Sequence, residues 1–171
     1  MSAGLHKMRN ARFMFAFAGC LVLAATLNAA TDTAPLTVSA EVVSNCVIAT
    51  SNLAFGQYDP LVQNATSELS ASANVTMLCT RSTSAAVSLD GGRNSIGASR
   101  TLAGSSQHVS YQLFRDAGRT QEWGGGVSGG MQFISEGIHK PQQVTLYGRI
   151  PPGQEVISGM YTDVVTATVD F

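Results

Sequence analysis

The sequence predicts an all-β protein built as a sandwich of two sheets, and three observations lead to this fold class. Apolar and polar residues alternate in several short runs, as in strands that bury one face. Clusters of glycine, proline and aspartate separate these runs in the manner of turns. Beyond residue 30, no stretch shows helical periodicity with capping residues. Seven or so short strands with this spacing are typical of a β-sandwich.

The first thirty residues have the composition of a secretory signal peptide. Three basic residues, Lys7, Arg9 and Arg12, precede an apolar run over 13–27, and small residues follow up to Ala30. The apolar run is shorter than the ~20 residues that a membrane span needs. We therefore expect residues 1–30 to be cleaved and the mature chain to be exported.

The charge of the mature chain excludes one class of partner. The whole chain has a net charge of -1 and only 12% charged residues. Cleavage removes three basic residues, which leaves 7 basic and 11 acidic residues and a net charge of -4. Phosphate binding needs concentrated Lys and Arg, so we expect no nucleic acid among the partners.

The cysteines predict a disulfide. Cys20 leaves with the signal peptide, and Cys46 and Cys79 remain as an even pair in an exported chain. A buried pair of free thiols is the alternative. A redox-active pair would need C-x-x-C spacing, which these two residues lack.

The predicted strands cover residues 36–42, 74–79, 86–90, 109–115, 144–149 and 165–171. Both ends of the mature chain are such runs, and each places four apolar residues on one face. These residues are Leu36, Val38, Ala40 and Val42 in the first run, and Val165, Ala167, Val169 and Phe171 in the last. The first run either pairs inside its own domain or adds a strand to another chain.

The glycine-rich stretch over 124–130 resembles two catalytic motifs in its letters alone. The dinucleotide pattern G-x-G-x-x-G needs a helix after it, and none is predicted here. The pattern G-x-S-x-G places Ser128 as a nucleophile, with Glu136 and His139 downstream. Because that elbow needs a strand-to-helix turn in an α/β sheet, a secreted serine hydrolase using Ser128 is a remote alternative.

Other catalytic chemistry has no support in the residue pattern. His108 and His139 are the two histidines of the mature chain, and they are too few and too far apart to specify a metal site. We therefore expect no metal, no cofactor, no catalytic residue and no small-molecule substrate, and we expect that the protein is not an enzyme.

Five segments resemble the spore coat protein U domain family, and they follow in the same order over nearly all of residues 36–171. They are NLAFGQYDP at 52–60, SLDGG at 88–92, SYQLFRD at 110–116, LYGRIP at 146–151 and GMYTDVVTATVDF at 159–171. The family includes subunits of Csu-type, archaic chaperone–usher pili. The resemblance implies an incomplete immunoglobulin-like sandwich of the pilin type, which lacks one strand.

The resemblance also implies a mode of assembly. A periplasmic chaperone lends the missing strand, and at the outer-membrane usher the N-terminal strand of the next subunit replaces it. The chain would then consist of a signal peptide (1–30), a donor-strand extension (31–43) and a spore coat U or pilin sandwich (44–171). Leu36, Val38, Ala40 and Val42 would form the donor strand. Val165, Ala167, Val169 and Phe171 would border the groove and pair with the chaperone.

The function implied is that of a structural pilus subunit that reaches the cell surface through the periplasm and supports adhesion and biofilm formation. Its partners would be the chaperone, the usher and other pilus subunits. A single domain favours a shaft or adaptor subunit over a two-domain tip adhesin. The alternative is a spore-coat or extracellular matrix protein with the same sandwich.

Overall fold

A computed structural model of the protein describes residues 29–124 and 129–171. The chain divides into two units, Met1–Ser39 and Ala40–Phe171. In the first unit the described residues, 29–39, are exposed and contain neither helix nor strand. The predicted signal peptide lies outside the described residues except for Ala29 and Ala30.

The second unit is all-β, as the alternating runs predicted. Its strands are β1 (Cys46–Thr50), β2 (Leu69–Cys79), β3 (Ser84–Leu89), β4 (Arg100–Ala103), β5 (His108–Phe114), β6 (Met131–Ile134), β7 (Gln142–Ile150) and β8 (Ala167–Asp170). One sheet has the order β1-β2-β7-β5-β4 and the other β6-β3-β8, and every pairing is antiparallel. The described part of the chain contains no helix with the length and apolar composition required to cross a membrane.

The hydrophobic core lies between the two sheets. Val75 and Met77 of β2, Val87 of β3 and Leu113 of β5 are all buried in it. The predicted inward parity of these strands is therefore confirmed, because alternate residues of a strand point to opposite faces. Trp123 belongs to no strand, and it is nevertheless completely buried in the same core.

The strand predictions are confirmed for β2, β3, β5, β7 and β8, and they miss β1, β4 and β6. The missed strands have only four or five residues each, too few to display a clear alternation. β2 begins at Leu69, earlier than predicted. The early start was not predicted because the first half of the strand alternates only Ser with Ala. Such small residues carry little contrast between a buried and an exposed face.

Residues 36–42, which were predicted as a strand, form none in the chain on its own. All eight described strands of the sandwich lie from Cys46 onward. Residues 36–42 therefore belong to neither sheet of their own chain. Pairing with another chain stays a prediction, because a single chain does not test it.

The predicted disulfide is confirmed. Cys46 of β1 lies directly opposite Cys79 of β2, and their sulfur atoms are bonded. The bond ties the edge strand β1 to the long strand β2 beside it. The cross-link therefore fixes the start of β1 in place.

Candidate functional site

The sandwich is open along one long side, where a groove of two connected cavities reaches the core. The cavities have volumes of about 560 and 1000 Å³. Both are lined by Leu53, Phe55, Leu102 and Asp163, so they form one continuous depression. One wall follows the chain after β1, and the other follows the chain that leads into β8.

The first cavity has an apolar floor. Val75, Leu89 and Leu113 line it, and each of them is otherwise buried in the core. Val165 and Ala167 approach it from the β8 side and are half-buried. An apolar floor beneath an open gap is the surface that an apolar side chain from outside would cover.

The second cavity continues the groove toward one end of the sandwich. Its floor includes Val109 and Ile150, which are buried. Its rim carries Leu61, Ile157 and Met160, which are exposed to solvent. The apolar surface therefore runs from the core out to the end of the molecule.

The β8 wall of the groove presents unpaired backbone groups. The N–H of Asp90 donates to the C=O of Thr166 at 3.0 Å, and the N–H of Arg93 donates to the C=O of Val164 at 3.0 Å. Since alternate residues of a strand direct their backbone groups to the same side, those of Val165 and Ala167 point away from β3. Within the described residues, no strand pairs with this edge of β8.

The β1 wall presents a second free edge. The N–H of Ser51 donates to the C=O of Asn74 of β2 at 2.9 Å, and the N–H of Thr80 donates to the C=O of Asn45 at 2.9 Å. By the same alternation, the backbone groups of Ile48, between those two residues, point away from β2. In the described structure β1 is the outermost strand of its sheet. β1 and β8 lie close to each other, and the groove opens beyond the end of β1 at Thr50 and before the start of β8 at Ala167. Both strands keep a free edge on this side of the sandwich.

The two edges run in opposite directions along the groove. The second cavity is lined by residues 53–61, which follow β1, and by residues 156–163, which precede β8. β1 therefore runs toward this cavity and β8 runs away from it. A strand inserted between them would be parallel to one edge and antiparallel to the other.

Asp90 fixes the chain where it enters the β8 wall. Its carboxylate accepts hydrogen bonds from the N–H of Thr166 at 2.8 Å and of Gly92 at 3.0 Å. Burial raises the pKa of Asp90, but these two N–H groups and the Arg100 charge outweigh it and lower the pKa below its usual value. Gly92 has φ of +83°, a conformation that favours glycine, which accounts for the glycine in the SLDGG segment.

A polar pair stands in the groove wall where the two cavities meet. The Tyr111 hydroxyl donates to Asp163 Oδ2 at 2.6 Å, and the N–H of Asn94 donates to Asp163 Oδ1 at 3.0 Å. Burial, together with the bond to Asp163, raises the pKa of Tyr111. The pair anchors the chain before β8 to the larger sheet, and it leaves the carboxylate satisfied by protein donors.

The opposite wall is positioned by close packing on a glycine. A Cβ atom at Gly148 of β7 would lie 2.7 Å from Leu53 Cδ2 and 2.8 Å from Phe55 Cζ. Only glycine therefore lets the NLAFG segment lie this close to the sheet. Tyr58 then fixes the end of the segment, because its hydroxyl donates to the C=O of Pro151 at 2.9 Å.

The predicted site residues fall into separate places. The predicted donor residues Leu36, Val38, Ala40 and Val42 are all exposed. Of the predicted groove-edge residues, Val165 and Ala167 line the first cavity, Val169 is half-buried on β8, and Phe171 is 57% exposed. The donor and groove-edge roles themselves stay predictions.

The hydrolase alternative depends on Ser128, Glu136 and His139. Ser128 lies outside the described residues. Glu136 bonds to Lys140 Nζ at 2.6 Å on the surface, and this bond lowers its pKa. A carboxylate held by a lysine does not orient the neighbouring His139. Among the described residues, no group of three metal-ligating side chains comes together.

Most of the groove lining lies outside the predicted strands. Leu53, Phe55, Leu102 and Tyr161 lie outside the predicted strands, and the structure brings them to the cavities. The family-like segments NLAFGQYDP and GMYTDVV were the available signal, because both of them prove to be groove walls.

Comparisons with known proteins agree with this architecture. The family described as Spore Coat Protein U domain matches residues 32–168. Protein U of Myxococcus xanthus is 34% identical over 168 residues, which are 90% of this chain and 93% of that protein. The fold is similar to that of a chain in the crystal structure of the CsuC–CsuE chaperone–tip adhesion subunit pre-assembly complex, from archaic chaperone–usher Csu pili of Acinetobacter baumannii. That match has a TM-score of 0.55 at 20% identity and covers 76% of this chain and 40% of the other.

Proposed function

The chain belongs to the Spore Coat Protein U domain family, and from this premise we propose that it is a structural, non-enzymatic subunit of a surface pilus. The subunits would polymerise through donor-strand exchange in the chaperone–usher pathway. The observation that carries this proposal is an apolar groove beside two free strand edges, in a chain that also has an exposed alternating segment.

The segment matches the groove in chemistry. Leu36, Val38, Ala40 and Val42 share one face of a strand, and from Leu36 to Val42 an extended chain spans about 20 Å. Burial of a Val or Leu side chain contributes about 1.5–3 kcal/mol, and that of Ala contributes less. Backbone hydrogen bonds to both walls add to this. Binding by strand addition of this kind combines main-chain pairing with side-chain pockets.

The direction of the donor strand follows from the need for a linear fibre. The N-terminal extension leaves its own body at Asn45, at the start of β1 and away from the second cavity. A donor strand antiparallel to β8 places Val42, and the body that follows it, at the second cavity. The two neighbours of each subunit then lie at opposite ends. The reverse direction would crowd both neighbours at one end, so we infer the antiparallel arrangement.

An open groove also explains the need for a chaperone. Free strand edges beside apolar surface are prone to aggregation, and a lent strand would cover both until polymerisation. The solved complex of a chaperone with a pilus subunit of similar fold supports this partner. The outer-membrane usher, transit through the periplasm, and a role in adhesion and biofilm formation belong to the same proposal.

A coat or matrix protein is the second candidate, and the family description favours it, because it refers to a spore coat. Such a protein would form a shell with the same sandwich. Genes for a chaperone and an usher beside the gene for this protein favour a pilus, and their absence favours a coat.

The proposal is tested by placing a negative charge on either the apolar or the polar face of the predicted donor strand. The mature chain is produced in an oxidising periplasm with its candidate chaperone and usher, and unheated and heated samples are compared on a detergent gel. The wild type should give a heat-sensitive ladder of oligomers. Leu36→Asp and Val38→Asp should abolish the ladder, because each buries a charge in an apolar pocket.

Thr37→Asp is the matched control, because it adds the same charge to the opposite face of the same strand. It should keep the ladder. Polymerisation of Leu36→Asp at the wild-type level would sink the donor-strand assignment. Ser128→Ala should be silent in this assay, and the loss of a measurable hydrolytic activity in that variant would revive the enzyme alternative.

A further inference from the structure

Large exposed apolar side chains of the sandwich concentrate at its two opposite ends. At the end where the second cavity opens they are Leu61, Val62, Ile157 and Met160, here called the exit face. At the other end they are Val43, Ile134, Ile138 and Phe171, here called the leading face. Exposed apolar clusters of this kind mark sites of interaction.

The exit face is presented by a well-ordered turn. The Asp59 carboxylate accepts hydrogen bonds from the N–H groups of Leu61 at 2.9 Å and Val62 at 3.1 Å. Asn64, which is buried, accepts a further bond from the N–H of Asp59 at 3.0 Å. The turn is thus held from within while Leu61 stays 87% exposed, and Met160, at 82%, lines the same cavity.

The leading face gathers around the start of β1. Val43 lies beside the end of β2, because the Thr80 hydroxyl donates to its C=O at 3.3 Å. Ile134 lies opposite Ser84, at the start of β3. Phe171 follows Asp170, whose partner in β3 is Ala86. These strand ends share one end of the sandwich.

The linker between the extension and the body is too short to keep two subunits apart. Only Val43, Ser44 and Asn45 separate Val42 from β1. Two of these three are held on their own body, since the N–H of Asn45 donates to Thr80 Oγ1 at 3.0 Å and Val43 accepts from the same hydroxyl. A donor strand that ends at the second cavity therefore brings its own leading face to the exit face of the acceptor.

We propose that the leading face of each subunit packs on the exit face of a second copy, as a body-to-body interface beside the donor strand. This inference rests on the proposed function, because the donor strand supplies the geometry. The contact joins two different surfaces of the same chain, so it repeats along a fibre without closing on itself. It would limit bending between successive subunits, which a flexible tether alone would permit.

The test compares polymers of full mature chains that differ only at the surface. Leu61→Ser/Met160→Ser removes two apolar side chains from the exit face. Ile96→Ser is the control, because Ile96 is exposed and lies outside the two faces and outside the groove walls. We expect the exit-face polymer to release subunits in guanidinium about tenfold faster than the control, which corresponds to about 1.4 kcal/mol.

A second measurement probes proximity without weakening the contact. The variant Ile134→Cys/Met160→Cys, treated with a short bis-maleimide, should give covalent ladders that survive boiling. Release at the control rate together with monomer after boiling would overturn the face contact alone. A wild-type chain that makes no polymer would overturn the proposed function, and the face contact with it.

Discussion

The two long sides of the sandwich contrast in how they satisfy their polar groups. On the closed side, the buried Arg100 guanidinium donates to the C=O of Asp90 at 2.7 Å and of Trp123 at 2.8 Å, while Trp123 Nε1 donates to the C=O of Val87 at 3.3 Å. On the open side, β1 and β8 direct backbone groups into a groove where no described strand meets them. The polar groups of the closed side are therefore paired within the fold, whereas the backbone groups of the open side are left for a partner.

On the closed side these hydrogen bonds involve Arg100, the first residue of β4, and Trp123, which belongs to no strand. Trp123 lies beyond β5, and its N–H donates to the C=O of Leu113 at 2.8 Å, so the loop continues the sheet while the indole fills the core. Arg100 crosses the gap between the sheets and caps carbonyls at the end of β3. Buried charge is tolerated here because the guanidinium is well hydrogen-bonded.

The largest expected effect lies on the closed side. Trp123→Ala should lower the free energy of unfolding of the monomer by about 3–5 kcal/mol, because it opens a cavity in the centre of the core. Denaturant unfolding followed by circular dichroism measures this. Ile96→Ser is the exposed control and should change the value by no more than about 0.5 kcal/mol. A loss below about 1 kcal/mol for Trp123→Ala would contradict the contrast between the two sides.

The next effect lies on the open side. Cys46→Ser/Cys79→Ser should lower the free energy of unfolding by about 3–4 kcal/mol, because the closed loop, with a sequence separation of 33, no longer restricts the unfolded chain. The same loss should follow when the wild type is measured in a reductant. The double variant should itself be indifferent to reductant. Equal stability of the variant and the oxidised wild type would show that β1 needs no cross-link.

The smallest effect concerns the chain that enters the β8 wall. Asp90→Asn should lower the free energy of unfolding by about 1 kcal/mol at pH 7, because a neutral amide accepts the bonds from Thr166 and Gly92 more weakly. The folded pKa of Asp90 is lowered, so its contribution is present above the unfolded pKa of about 4 and is lost as the pH falls through the folded value. The difference between wild type and variant should therefore shrink in acid. A difference that persists at pH 2 would indicate that the carboxylate charge is not its cause.

The alternating residues made much of the fold predictable. Val75 and Met77 share one parity of β2, and Leu113 shares one parity of β5 with Val109 and Tyr111. This parity predicted the inward face of both strands. The short strands were not predictable, since β4 and β6 have four residues each and owe their place to β5 and β3 beside them. The burial of Trp123 was not predicted, because nothing in its local sequence indicates it.

The candidate site was predictable only at its margins. Val165 and Ala167 lie on the apolar parity of the final predicted strand, and both line the first cavity. Leu53, Phe55 and Tyr161 reach it from irregular segments, which have no period to interpret. Their positions depend on Gly148 and Gly104, where a Cβ atom would collide with Phe55 or Tyr161. Such pairs are far apart in sequence, so no local pattern shows them.

Local periodicity and residue type were enough to predict the all-β class, the inward faces of the long strands and the Cys46–Cys79 disulfide. Packing of the whole chain decided that residues 36–42 join no strand of their own sheets, and it decided which side of the sandwich is open. An opening is a property of two sheets that meet through Arg100 and Trp123 on one side and leave β1 and β8 unjoined on the other. Because the edges belong to segments more than a hundred residues apart, their separation arises only when the whole chain is packed.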